Sequence, residues 1–244
     1  HLHAPFLVSL FCVAGVTGIF GGFLALPALR VRGDYFVITT FAFQVIVVSV
    51  LANWTSVTGG AMGLAGIPPA RIFDWTLRTN ADYLIVAASL AFALWWLVRT
   101  IVRSPFGRVL KSIREDDALV ALTGKDVRFY KVLVFVIGSS VASVAGVLYV
   151  HYITFIDPSN FTVMESIFIL SIVILGGAGN LWGPLLGAIL LVSFPELLRF
   201  LGIPTSAAAN IRQILYGLAL VACMLWRPQG LVGEFTFGRD AKTK

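Results

Sequence analysis

The chain has 244 residues, of which 58% are hydrophobic and 12% charged, with a mean hydropathy of +0.91 and a net charge of +6. A soluble domain carries about a quarter charged residues, so this composition excludes an ordinary globular protein and indicates a polytopic membrane protein. The positive balance is accounted for by loops facing the cytoplasm, not by nucleic-acid binding.

Pro5 to Leu29 is an uncharged run of 25 residues. At about 1.5 Å rise per residue it is long enough to cross the roughly 30 Å core of a bilayer. Gly15, Gly18, Gly21 and Gly22 lie on one side of it, at spacings that allow close helix packing. Ala4 to Leu29 is too long and too glycine-rich for a signal peptide. The chain starts at His1 rather than Met, so upstream sequence is expected. Arg30-Val31-Arg32-Gly33-Asp34 forms a short basic turn suited to the cytoplasm.

Tyr35 to Ala70 contains 36 uncharged residues, too many for one span and too few for two. Tyr35 to about Ala52 is the expected second span. Thr58 to Pro69 then holds Gly59, Gly60, Gly63 and Gly66 with Pro68 and Pro69, which cannot sustain an ordinary helix. It is either an outer loop or a re-entrant segment, and irregular backbone at membrane depth needs protein or water to satisfy it. Arg71, Asp74, Arg78 and Asp82 mark a short outer loop. Tyr83 to Val98 is the third span, with Trp95 and Trp96 at its inner end.

Arg99 to Lys131 is a charged island of 33 residues holding eight of the 18 basic side chains. A basic loop between spans stays cytoplasmic and orients the rest of the chain. Within it, Leu110, Ile113, Leu119, Val120 and Leu122 are interleaved with charge, which predicts an amphipathic helix from about Arg108 to Thr123. Gly124 is placed as its left-handed cap. Such a helix lies on the bilayer, packs under the bundle, or serves as a handle for a soluble partner.

Val132 to about Val150 is the fourth span, with Gly138, Ser139, Ser140, Ser143 and Gly146 for small-residue packing. His151, Asp157 and Asn160 form its outer connection. From about Val163 to Leu201, two short spans are joined by a break over Leu175 to Pro184 that includes Gly176, Gly177, Gly179 and Asn180. Gly202-Ile203-Pro204 closes them outside. A last span, about Ile211 to Trp226, returns to a basic cytoplasmic tail, 227–244. The expected fold is an all-α transmembrane bundle of about seven spans in one domain, 1–244, with its first residue outside; an upstream helix would restore an inside start.

The two glycine stretches, 59–66 and 176–183, match at five of eight positions. Paired Gly/Pro interruptions in the two halves of a membrane protein point to a translocation pathway; close-packed helix kinks are the alternative. Thr58, Gly59, Gly60, Gly63, Gly66, Gly176, Gly177, Gly179 and Asn180 are therefore the candidate pathway residues. The path would be apolar and uncharged. Catalytic and metal-binding patterns are missing: there is no Gly-x-x-x-x-Gly-Lys-[Ser/Thr] and no His-Glu-x-x-His, and Cys12 and Cys223 sit far apart in apolar runs. Glu196 and Arg199, three apart near a helix end, are expected to pair structurally. No ionisable group stands at midplane, as ion-coupled secondary transport would require.

Several of these stretches together resemble one family. They are Leu29-Arg30-Val31-Arg32-Gly33-Asp34-Tyr35-Phe36, Thr58-Gly59-Gly60 with Gly63-Leu64-Ala65-Gly66-Ile67-Pro68, and Gly107-Arg108 with Ile113-Arg114-Glu115-Asp116. Leu175 to Pro184, Gly187-Ala188 and Trp226-Arg227-Pro228-Gln229-Gly230-Leu231 complete the set. In this order they look like the LivM-type permease subunit of bacterial branched-chain amino-acid ABC importers.

That resemblance implies a bacterial inner-membrane permease without enzymatic activity or a cofactor of its own. It implies a second permease subunit, two cytoplasmic ATPase subunits carrying ATP and magnesium, and a periplasmic or surface substrate-binding protein. The central helix would be the coupling helix, with Arg108, Lys111, Ile113, Arg114, Glu115, Asp116 and Gly124 toward the ATPase. Where the family usually has Ala-Ala-Glu before that glycine and Ile-Asn after it, this chain has Leu119-Val120-Ala121 and Lys125-Asp126. Members of this family also move urea, short amides or aromatic acids. A stand-alone channel or secondary transporter, and a membrane-embedded enzyme, are the competing classes.

Overall fold

A computed structural model of the chain describes residues 6–31, 34–72, 75–177 and 179–200 (backbone alone for 34 and 194–200), with 217, 218, 221 and 230–232. Nine helices are described: α1 Phe6–Ala28, α2 Asp34–Asn53, α3 Thr55–Thr58, α4 Asn80–Arg103, α5 Pro105–Glu115, α6 Asp117–Leu122, α7 Val127–Ile153, α8 Val163–Gly176 and α9 Trp182–Phe200. Four two-residue strands interrupt them: β1 Leu64–Ala65, β2 Arg71–Ile72, β3 Trp75–Thr76 and β4 Phe155–Ile156. The chain divides into two compact units, His1–Phe161 and Thr162–Lys244.

In the first unit, α1 packs along α7. Its contact stripe runs Phe6, Leu10, Ala14, Gly18, Gly22, Ala25 and Ala28, at three- and four-residue steps. A Cβ on Gly18 would overlap the Ser140 hydroxyl, and one on Gly21 the Ser139 hydroxyl. At Gly22 it would come within 2.9 Å of Val136 Cγ2. Ser140 Oγ donates across the pair to the Ala14 carbonyl at 2.9 Å. The expectation that all four glycines pack is corrected at Gly15, which is exposed with nothing near its absent Cβ. It stands about 100° round the helix from Ala14. Gly138 and Gly146 likewise face open space, so Val136, Ser139 and Ser140 are what α7 sets against the α1 glycines.

α4 and α7 overrun the spans expected from charge alone, Tyr83 to Val98 and Val132 to Val150. Capping explains both starts. Thr79 and Asp82 form a reciprocal capping box at α4, and Asp126 Oδ1 accepts from Arg128 N and Phe129 N at α7. Arg99 and Arg103 remain helical, with the Arg99 guanidinium 4.9 Å from the Trp95 ring centre.

The buried core of this unit gathers Phe6, Leu10, Ala70, Leu77, Val86, Val144 and Val147. Tyr83 knots it at one end: its hydroxyl donates to the His151 carbonyl at 2.9 Å and accepts from Ala70 N at 3.3 Å.

The second unit holds α8 and α9, the two short helices expected around a glycine-rich break. The described residues include five apolar stretches long enough to cross a membrane, ending with Pro158–Gly176, and a shorter apolar helix, Trp182–Ser193. The seventh expected span lies outside the described residues, apart from helical positions 217, 218 and 221. The cytoplasmic tail and the side chains of Glu196 and Arg199 also lie outside them.

Candidate functional site

The charged island folds into two helices, not one. Ser104 starts α5: its hydroxyl accepts from Gly107 N at 3.4 Å, and Pro105 takes the first helical position, where no amide donor is needed. Gly107 is buried there, since a Cβ would overlap the Val102 carbonyl as α4 gives way to α5. At Asp116 the backbone becomes extended (φ −153°, ψ 110°), and Asp116 Oδ1 accepts from Ala118 N at 2.7 Å and Leu119 N at 3.1 Å. The expected continuous helix from Arg108 to Thr123 is thus broken by a residue that caps the next helix. Gly124 follows α6 with φ +79°, the left-handed geometry expected of it.

The candidate coupling residues do not share one role. Arg108, Lys111, Arg114, Glu115 and Asp116 are exposed, as is Gly124. Ile113 is only 6% exposed and packs into its own chain, so it offers no apolar knob to a partner. The large apolar residues that α6 itself presents are Leu119 and Leu122, 62% and 84% exposed. Asp116 spends its carboxylate on the α6 backbone, and Asp117 pairs with Lys131 of α7. Phe106 stacks on Tyr130, centroids 5.5 Å apart and rings 20° from parallel, tying α5 to the start of α7.

The candidate pathway residues fall into two separate local structures. Thr58 closes α3, its hydroxyl donating to the carbonyls of Leu51 (2.6 Å) and Trp54 (2.7 Å) and accepting from Gly60 N at 3.2 Å. Gly59 and Gly60 lead into a 3-10 turn over Gly60–Met62. Gly63 has φ +68°, and a Cβ there would overlap the Ile156 carbonyl. β1 pairs antiparallel with β4, Leu64 opposite Ile156 and Ala65 opposite Phe155. Ile67 N donates to the Thr154 carbonyl, and His151 Nδ1 stands 2.8 Å from the Pro68 carbonyl. The segment is therefore bound to the connection after α7. Gly66 has φ +79° with open space around its absent Cβ. In that connection, hydrogen bonds from the Ser159 hydroxyl and then the Ser159 amide hold the Asp157 carboxyl below the usual carboxylate range.

In the second unit the glycines let two helices touch backbone to backbone. A Cβ on Gly176 would overlap the Gly183 carbonyl, and one on Gly187 the Ile172 carbonyl. Asn180 Oδ1 accepts from Trp182 N at 3.1 Å and so starts α9. Gly177 and Gly179 both have positive φ, 112° and 109°. Gly230 seats against Gly177, while Leu231 N and Val232 N donate to the carbonyls of Leu175 and Gly176, 2.9 and 3.1 Å away. Gly183, Gly187 and Gly230 are the contacts that sequence reasoning left out of the site. For the first two the signal was four-residue spacing, with Gly183 at the end of the break and Gly187 just beyond it. The similar strings 59–66 and 176–183 thus build different objects, a loop brace and a helix hairpin.

Among the described residues no cluster of His, Cys, Asp and Glu could hold a metal ion. A family model described as branched-chain amino acid transport system / permease component matches residues 2–224. The high-affinity branched-chain amino acid transport system permease protein LivM of Escherichia coli K12 is 34% identical over 90% of this chain and 56% of its own length. A probable LivM of Methanocaldococcus jannaschii is 27% identical over 93% of this chain and 68% of its own length. The LivH permease protein of Salmonella typhimurium is 26% identical over 75% of this chain and 60% of its own. The chain thus spans little more than half the length of the first of these relatives. No solved structure matches it.

Proposed function

The chain belongs to the branched-chain amino acid transport permease family, and from that premise we propose that it forms half of the translocation pathway of an ATP-driven importer. The observation that carries this reading is the family match over residues 2–224, which takes in five apolar membrane-length stretches and the exposed charged island. The other half is a second permease subunit; similarity to relatives named both LivM and LivH supports a pair of related chains. Branched-chain amino acids are the substrate, as the names of those relatives indicate. Urea, short amides or another small solute on the same scaffold is the alternative.

In this reading the protein lies in the bacterial inner membrane with 99–131 toward the cytoplasm, where two ATPase subunits hold ATP and magnesium. A periplasmic or surface binding protein delivers substrate. Lys111, Arg114 and Glu115, with exposed Leu119 and Leu122, meet the ATPase, while Arg108, Ile113, Asp116 and Gly124 shape the segment that does so. Thr58, Gly59, Gly60, Gly63 and Gly66, with Gly176, Gly177, Gly179 and Asn180, shape the path by keeping bulky side chains out.

Affinity purification of the tagged chain from its native host tests this. An ATPase subunit should travel with it, and Arg114→Glu should lower both that recovery and substrate-stimulated hydrolysis without changing substrate capture by the delivery protein. Uptake by the chain reconstituted without any ATPase would make it a stand-alone transporter instead.

A further inference from the structure

We propose that the cleft between α5 and the start of α7 holds the headgroup of an anionic phospholipid from the leaflet that the loop faces. The cleft is open to its surroundings, has a volume of about 410 Å³ and is lined by Phe106, Arg108, Val109, Ser112, Lys125 and Tyr130 among others. That is within the range of about 300–1,000 Å³ for small-molecule sites. Two cations face it. Among the described residues neither Arg108 nor Lys125 makes an ion pair, whereas three nearby carboxylates are engaged elsewhere: Asp116 and Asp126 cap helices and Asp117 pairs with Lys131.

The donors are matched to an oxyanion. The Ser112 hydroxyl is committed to the Arg108 carbonyl at 3.2 Å, leaving the Tyr130 phenol as the uncharged donor. Tyr130 is held in place by its stack on Phe106. Arg and Lys beside a phenol suit a phosphate, which accepts several charge-assisted hydrogen bonds.

Location selects the source of that phosphate. α4 and α7 are both long and apolar enough to cross a membrane, and the cleft opens where α4 ends and α7 begins. The inner turns of α4 carry Trp95, Trp96 and Arg99, side chains that favour the headgroup layer. Pro105, Phe106, Val109 and Tyr130 supply the apolar part of the lining beside the cations, and the acyl chains would follow the apolar helices. The inference rests only on the topological part of the proposed function, and its readout involves neither uptake nor ATP hydrolysis.

Native mass spectrometry of the detergent-solubilised full chain, titrated with phosphatidylglycerol or phosphatidylcholine, tests it. A one-lipid adduct should form at lower concentration with phosphatidylglycerol. Lys125→Gln should raise the half-saturating concentration about fivefold, the effect of one basic residue at an anionic lipid surface. Arg128→Gln, on the same loop but outside the cleft, should leave it unchanged. Tyr130→Phe keeps the ring stack and should weaken binding about threefold, as loss of one hydrogen bond does. Equal losses in Lys125→Gln and Arg128→Gln would reduce the effect to diffuse attraction and overturn the site. Complete displacement by millimolar inorganic phosphate would make it a free-anion site instead. Reduced ATPase recovery in Lys125→Gln with unchanged lipid binding would make it a protein contact.

Discussion

The Ser140 hydroxyl donates to the Ala14 carbonyl at 2.9 Å and occupies the space that a Cβ on Gly18 would need. Hydrogen bonds between transmembrane helices average about 0.6 kcal/mol, so this bond alone is a modest contribution and the close approach allowed by small residues also supports the pairing. Gly18→Val should therefore destabilise the α1–α7 pair by about 1–3 kcal/mol, the usual cost of overpacking. Gly15→Val, off the contact stripe, should change little. Denaturation in detergent, followed by tryptophan fluorescence, measures both. Equal losses would mean that the stripe is misplaced.

Gly63 and Gly66 separate strain from collision. Both have positive φ, and a left-handed conformation costs an L-residue roughly 1–2 kcal/mol. Only Gly63 also faces a wall, with Asp157 Cα 3.2 Å from a built Cβ in addition to the Ile156 carbonyl. Gly66→Ala should keep the β1–β4 brace and uptake. Gly63→Ala should open the brace, making the 59–66 segment sensitive to protease and lowering uptake. If both variants transport normally, the brace is dispensable for the path.

Much of this was legible from residue order. Apolar runs bounded by charge located α1, α2, α4 and α7, because hydrocarbon tolerates few charges and a helix satisfies its own backbone. Gly18, Gly21 and Gly22 were legible as a packing stripe. Gly15 was not separable from them, since a helix apolar on every side shows no polar face to orient it. The break at Asp116 was missed because leucines and charges on both sides of it continue a helical pattern. Only the competition of a short carboxylate for the Ala118 and Leu119 amides ends α5. The fate of Ile113 was hidden for a related reason: periodicity gives a face but not whether a partner or the chain itself covers it. The likeness of the two glycine strings was real in sequence. Their different structures follow from neighbours in another element, the Ile156 carbonyl against Gly63 in one case and the Gly183 carbonyl against Gly176 in the other.

The orientation of the chain can be checked at two highly exposed side chains. Leu122 in the charged island is 84% exposed and Met62 beside the brace is 87% exposed. In a Cys12→Ser, Cys223→Ser background, Met62→Cys should react with a membrane-impermeant maleimide on intact cells. In cells lacking the ATPase subunits, Leu122→Cys should react only after permeabilisation, because basic loops resist translocation. Labelling of Leu122→Cys in sealed cells would invert the topology.

Asp116 decides whether the island couples through charge or through shape. Its carboxylate accepts from two α6 amides, so its first effect is to keep Leu119 and Leu122 on a formed helix beside the polar end of α5. Asparagine caps about as well as aspartate, whereas alanine in place of a cap costs about 0.5–2 kcal/mol. For a helix of six residues with little stability of its own, that loss is enough to unwind it. Asp116→Asn should therefore retain recovery of the ATPase subunit, while Asp116→Ala lowers it about twofold to thirtyfold, the free-energy range expressed as a ratio. A Leu122→Ala variant should lower recovery too, with α6 intact. Circular dichroism of a membrane protein is too coarse to see six residues, so the readout is protease accessibility at Lys125 alongside recovery. Equal losses for the Asn and Ala variants would show that the carboxylate charge itself meets a partner, and that the cap is incidental.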